Sequence, residues 1–404
     1  MKKLILILIA LNLCSDLISQ TLHSNDSIKY FVEYLKRGNF SSPKDYVLKS
    51  FDEKDIVILS ERLHPEFKQY EMIIDILKDD KFKGNVYTEV GAFNSRKQIN
   101  EFLLKEGLSK DEKETELLKI YRNIDYLPIW PNYNFYYLIS SIYDINQKRS
   151  EQDKIFIIPL DVEFSWDSIE CSRQYNVFNP MLSTYVIERD LIMGKHFIQA
   201  YLEARYFNKN KSKALVILNT FHGYTRIPTY LPLPTQPFIY STAEYIFKTF
   251  PKSTKGILIN GYSSSTISKF VASGKWDAAF KVIGNKNIGF DLKDTPFGAT
   301  KFDMYNFGGR DFQTVNFEYI FDGFVFYEPI ENFELAKGIP NIFKDKVFKE
   351  EFYRRIAMEE NITIDEAKLS KEIKEYIEAI NVLTINKVQV LEELNKEINK
   401  WLTN

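Results

Sequence analysis

Two apolar runs in this chain each stop at a polar turn that carries a histidine. In "ILSERLHPEF" (58–67) the run ends at Glu61 with His64 three residues on; in "ALVILNTFHGY" (214–224) it ends at Asn219 with His222 three residues on. Other runs end in acids or amides. "NVYTEV" (85–90) carries Glu89, "KIFIIPLD" (154–161) stops at Asp161 with Glu163 beyond it, and "GILING" (256–261) contains Asn260. The chain has only four histidines, and His23 lies near its start, so two of the other three fall on such turns. A single Glu after a strand is ordinarily an N-cap or a solvated turn, and a single His a hydrogen-bonded structural residue. Their joint placement is what points to a site. Two imidazoles converging with two or more carboxylates suit activation of water, a neutral His accepting the proton while a carboxylate orients the ring. Carboxylates brought close also raise one pKa, giving an acid and a base from one residue type. The same Glu61, His64, Glu89 and His222 equally suit a divalent metal such as zinc or manganese.

Other chemistries find less support. No Ser sits in a nucleophile-elbow pattern, and Cys171 has no evident His partner, so covalent catalysis is not expected. "NFGGRDF" (306–312) has two glycines and an Arg but lacks the strand-then-helix context of a phosphate loop. The formal net charge of −2 gives no nucleic-acid footprint. The 25 Tyr and 32 Phe can line a cleft, but thick cores use aromatics equally.

The elements that must position these residues alternate in kind. The runs at 55–60, 85–90, 154–161, 213–219, 256–261 and 321–327 are short and nearly continuous in hydrophobicity, as strands buried on both faces of a parallel sheet are. Between them lie helical patterns. Pro65 stands where a first helical residue would be, before Phe67, Tyr70, Ile74 and Leu77. Asn94-Ser95 is placed to cap the next helix, and a long one is expected over about 184–207. This alternation predicts an α/β fold, a mostly parallel central sheet covered by helices on both faces. Ligands of such sheets bind beyond the carboxyl ends of the strands, where the polar residues fall.

Three regions stand apart. Residues 1–19, with two lysines, an apolar run from Leu4 to Leu13 and small residues after it, have the layout of a secretory signal peptide. They are too short to span a bilayer, and no other stretch reaches that length. Export to the periplasm or medium is therefore expected, with lipid anchoring at Cys14 a lesser alternative because Leu13 before it is bulky. "RIPTYLPLPTQP" (226–237) is a proline-rich loop. Residues 336–404 read as a C-terminal extension of one or two amphipathic helices, with 20–335 as the α/β domain.

The stretches "LSERLHPEFKQYEMIIDIL" (59–77), "NVYTEVGAFNSRKQINEFL" (85–103), "LPIWPNYNFYYLI" (127–139), "ERDLIMGKHF" (188–197), "ALVILNTFHGY" (214–224) and "FDGFVFYEP" (321–329) together resemble the erythromycin esterase-like and ChaN-like superfamily. The pattern spans roughly residues 50 to 330. The resemblance implies a pocket at the strand ends with Glu61, His64, Glu89 and His222 as its polar core. His64 would activate water against an ester or lactone, supported by Glu61 and Glu89, while His222 binds or polarises the substrate. Arg189, Asn219, Asp161 and Trp130 are the implied substrate-binding residues, Arg189 sharing a helix face with Met193 and His196; its plainer reading is an ion pair with Asp190 or another nearby carboxylate. Ser60, Arg62, Leu63 and Pro65 depart from the small residues usual around this turn, which argues against macrolide specificity. The superfamily also contains haem- or iron-binding proteins and metal-dependent peptidases. The reading is thus an exported hydrolase acting on a small molecule, with two alternatives: a non-catalytic haem, iron or small-ligand binder, and a metal-dependent hydrolase using the same four residues.

Overall fold

Strands rich in Val, Ile and Leu on both faces need apolar cover on both sides, and the computed structural model shows how the chain supplies it. It describes residues 27–178, 185–207, 211–226, 228–229, 239–263, 269–304, 315–388 and 391–403. The expected signal segment, "NFGGRDF" and most of the proline-rich loop lie outside these. Two N-terminal helices, α1 (Lys29–Arg37) and α2 (Pro43–Glu53), precede the sheet. Then follow β1 (Ile56–Glu61), α3 (Lys68–Lys78), β2 (Gly84–Ala92), α4 (Arg96–Leu103), α5 (Lys110–Tyr121), α6 (Tyr133–Asn146) and β3 (Ile157–Asp161). The second half adds α7 (Tyr185–Phe207), β4 (Lys213–Asn219), α8 (Thr242–Thr249), β5 (Thr254–Ile259), α9 (Lys275–Val282), β6 (Ile288–Asp291) and β7 (Gly323–Phe326).

The seven strands form one sheet in the order β6-β7-β5-β1-β4-β2-β3, parallel except for the edge strand β6. The α/β expectation holds, and β6 is a strand the sequence reading missed. Connections from β1 to β2 and β3 step one way across the sheet, and those from β3 to β4 and β5 step back. Right-handed crossovers therefore put the intervening helices on opposite faces. Val57, Leu59, Val86, Leu215 and Ile217 pack under α3–α6, while Ile56, Ile58, Tyr87, Val216 and Leu218 pack against α7 and α8. Strand β4 lies between β1 and β2, yet its chain leaves to the other face, so a crevice opens at the carboxyl ends of β1, β4 and β2.

Several local expectations are corrected. Pro65 does not begin the helix: α3 starts at Lys68, because both Glu66 carboxylate oxygens accept first-turn amides, from Lys68 and Gln69 at 3.0 Å each. Nor do Asn94 and Ser95 cap α4. Asn94 ties the Phe164 main chain through its amide and carbonyl, and Ser95 donates to the Ala92 carbonyl. The C-terminal region contains more than one or two helices: α10 (Lys346–Glu360), α11 (Ile364–Leu369), α12 (Lys371–Ile380) and α13 (Leu391–Leu402). It also holds β9 (Thr384–Lys387), paired antiparallel with β8 (Glu334–Lys337), so a boundary at 335/336 falls inside β8. Phe348, Phe352, Ile377 and Ile380 join the same core as α3–α6.

Candidate functional site

Side chains satisfy much of the backbone of the turn after β1. Gln69 accepts from the Arg62 amide (2.7 Å) and donates to the carbonyls of Leu63 and Glu66, while Asn134 donates to those of His64 (2.6 Å) and Glu66 (2.7 Å). The fully buried Arg62 guanidinium pairs with Glu66 at 2.8 Å, binds the Asn260 side chain and lies over the Phe333 ring. Asn260 thus serves this frame rather than a ligand. On that turn Glu61 and His64 meet locally: His64 Nδ1 lies 2.5 Å from Glu61 Oε1, and Tyr70 donates to Glu61 Oε2 at 3.0 Å.

Glu89 is aimed into the crevice by an irregularity of β2. The pairing register with β3 slips between Thr88 and Ala92, and Gly91 takes φ +98, a conformation only glycine adopts without strain. Its Oε2 accepts from the Asn219 main-chain amide at 2.8 Å. Its Oε1 gathers three nitrogen groups: His222 Nε2 at 3.2 Å, Arg189 Nη2 at 3.2 Å and His64 Nε2 at 3.7 Å. Arg189, in the first turns of α7, also forks onto both oxygens of Asp161 at 2.9 and 2.8 Å. The next residue, Asp190, takes His222 Nδ1 at 2.8 Å and both the amide and hydroxyl of Thr242 at 2.6 Å.

The structure therefore brings together Glu61, His64, Glu89, Arg189, Asp161 and His222. Asn219 joins through its backbone; its side chain donates to the Arg62 carbonyl at 3.3 Å. Trp130 stands edge-on to His64, ring centres 5.3 Å apart. Its loop is held just past the end of β8, where Gly338 donates to the Pro131 carbonyl at 2.7 Å, as Ala336 within β8 donates to Pro65 on the His64 turn. Gly338 has φ +91, and a Cβ there would strike the Val382 carbonyl. The C-terminal region thereby fixes two site loops at once. The ion pair of Arg189 is with Asp161 and Glu89, not Asp190. Met193 is core, and His196 is structural, bound to the Leu160 carbonyl at 2.7 Å and stacked on Phe93. Glu163 is exposed and takes no part. Sequence reasoning passed over Tyr70, Thr242 and Asp190 as partners of the histidine arms; the Arg-Asp pair opening α7 was the one available signal.

Electrostatics divide the cluster into an inner and an outer layer. The carboxylates are buried; the His64, Arg189 and His222 side chains retain 25, 20 and 17 % exposure. Burial alone would lower His64, but the charges of Glu89 and Glu61 and the Glu61 hydrogen bond raise it above the ordinary imidazole value. Burial likewise works against the His222 cation, yet Asp190 and Glu89 push it up to about 10. Burial favours the neutral form of Glu89, and the surrounding His222, His64 and Arg189 hold it well below the usual carboxylate range. Behind Arg189, burial and the charge of Asp161 push Asp125 up to about 7. For a metal, Glu61, His64 and Glu89 each offer a donor atom within 4.8 Å of the others, so these three fit a divalent cation; His222 is not part of that set.

Fold and cluster define a doubly wound α/β protein whose polar site lies where the strand connections part. No family model matches the chain, and no curated protein is significantly similar to it. Among solved structures, a Bacillus cereus protein aligns at 11% identity over 69% of this chain and 89% of its own, with a TM-score of 0.37. A succinoglycan biosynthesis protein aligns at 11% identity over 69% and 88%, with a TM-score of 0.38. No helix of the described residues is long and apolar enough to cross a membrane.

Proposed function

We propose that the protein is an exported hydrolase that cleaves an ester or lactone bond by direct attack of water, with His64 as the base. The observation that carries this reading is the Glu61–His64 pair at 2.5 Å, whose Nε2 faces Glu89 across 3.7 Å, beyond direct hydrogen-bond length, so that a water entering from the crevice can lie against both. In the neutral ring Nδ1–H donates to Glu61, so Nε2 carries the lone pair that receives a proton from water; Glu61 then stabilises the imidazolium, which returns that proton to the departing alcohol oxygen as the C–O bond breaks. Glu89 accepts the second water hydrogen and orients the attack. On the far side, Arg189 Nη1 is the donor that would face the negative charge developing on the carbonyl oxygen; His222, whose Nε2 lies 3.3 Å from it and donates to Glu89, adds a fixed positive charge beside it. The motif resemblance on residues 50–330 supports the same assignment.

A metal-dependent hydrolase is the second reading, favoured by the donors of Glu61, His64 and Glu89 lying within 4.8 Å of one another. A divalent ion held there would supply a water of lowered pKa. A haem site fits less well. His64 and His222 each turn both ring nitrogens toward carboxylates, in charged surroundings rather than an apolar slot.

The test is turnover of a panel of aryl esters and lactones by the full chain, with and without chelator. The direct mechanism expects turnover that survives the chelator and is lost in His64→Gln. Loss with chelator moves the water-activating role to a metal, and no turnover on any ester or lactone sinks the direct-attack reading.

A further inference from the structure

We propose that Tyr70 is a positioning residue of this site: its hydroxyl fixes the Glu61 carboxylate in the orientation from which Glu61 fixes His64. Its kinetic consequence rests on the hydrolase reading; its structural consequence does not.

The terminal torsion of a Glu side chain is soft, so one hydrogen bond at Oε1 leaves the carboxylate free to tilt. Glu61 is anchored at both oxygens instead, His64 Nδ1 at Oε1 and Tyr70 Oη at Oε2. Both partners of the second bond are inaccessible, Tyr70 at 2 % and Glu61 at 1 % exposure, so no solvent stands ready to replace a missing donor. Tyr70 belongs to the same helical turn as Gln69, which pins the backbone of residues 62–66. One turn of α3 thus holds the main chain of the site with one residue and its carboxylate with the next. Burial, then the charge and hydrogen bond of Glu61, raise the phenol far above its ordinary value, so it acts only as a donor. Without that hydroxyl, Glu61 Oε2 becomes a buried acceptor with no donor, and the carboxylate draws harder on the His64 proton.

The chain has four histidines, so 15N-histidine labelling resolves them, and a His64→Gln variant assigns the signal. In Tyr70→Phe, the His64 Nδ1 proton resonance is expected to shift. Turnover is expected to drop about tenfold in kcat with KM changed less than about twofold, as loss of base alignment predicts. Replacing Tyr70 with 3-fluorotyrosine, a stronger donor of nearly equal volume, should shift the resonance the opposite way and provides the test if Tyr70→Phe folds poorly. Tyr143→Phe is the control for loss of a buried phenol, since that hydroxyl accepts only the Leu108 amide. The proposal is overturned if neither Tyr70 substitution moves the His64 resonance, or if Tyr70→Phe and Tyr143→Phe have equal kcat. Should the wild-type chain hydrolyse no ester, the hydrolase reading fails while the resonance still decides the role of Tyr70.

Discussion

The two histidine arms use the same parts and end in different states. In each, Nδ1 rests on a buried carboxylate and Nε2 turns toward Glu89 Oε1. Glu61 spreads its load, one donor on each oxygen, and His64 stands 3.7 Å from Glu89. Asp190 takes three donors on a single oxygen, and His222 sits in direct contact with Glu89 at 3.2 Å. Distance then decides the outcome. His222, pressed between two carboxylates, is pushed up to about 10 and is a fixed cation near neutrality. His64, further from the shared acid at 3.7 Å, is raised above the ordinary imidazole value, with no direct hydrogen bond to Glu89. On the proposed reading, environment alone would make one of two like residues a base and the other a standing electrophile.

The comparison can be broken or sharpened by experiment. His64→Gln should cost on the order of 10² to 10⁴ in kcat, read as ester turnover. A loss as large from His222→Gln with unchanged pH dependence would make the arms equivalent and break the distinction. Glu89→Gln removes the acid common to both arms and leaves buried cations short of a partner. We expect about 3 kcal/mol of lost stability in urea denaturation, and both imidazoles falling toward their ordinary values by NMR. Asp190→Asn should cost about tenfold or more in kcat/KM and introduce an alkaline decline, because His222 would then lose its charge within the assay range.

Stability against pH separates the arms further. The His222 proton is held more tightly in the folded chain than in the unfolded one. Its contribution is therefore fully present below about 6.5, the unfolded imidazole value, and is lost as pH rises toward about 10. Glu89 has the opposite sign: depressed in the fold, it stabilises above its ordinary value of 4.5 and loses that contribution as pH falls. Denaturation midpoints should thus be highest between these limits, and the alkaline decline should flatten in Asp190→Asn. The smallest effect belongs to Thr242→Val. Removing one of three donors from Asp190 should cost about 1 kcal/mol and move His222 slightly upward.

Much of the frame was legible because it is local. Continuous Val/Ile/Leu runs marked β1, β2, β4 and β5, and the three-residue spacing of Glu61 and His64 placed them on one turn, where they pair. The long helix read over about 184–207 is α7, Tyr185–Phe207. Helix starts were read less well: Pro65 and Ser95 have the right residue types, but the first-turn amides of α3 go to Glu66, and α4 has no side-chain cap, Asn94 binding the distant Phe164 backbone and Ser95 the Ala92 carbonyl. Tyr70 read as a member of an apolar helical stripe, which it also is; nothing in its spacing shows a hydroxyl aimed at an acid nine residues earlier.

What the sequence alone determined is therefore the alternation of strand and helix, the polar residues at strand ends and the Glu61–His64 pair, all set by hydrophobic period and short chain separation. The tertiary structure decided which strand ends meet. Only the insertion of β4 between β1 and β2 carries His222 to Glu89, only the crossover through α7 brings Arg189 to Asp161 and Asp190 to His222, and only the return of β8 steadies the Trp130 loop. Strand order follows from how two opposed faces find cover at once, a property of the whole chain that no local window contains.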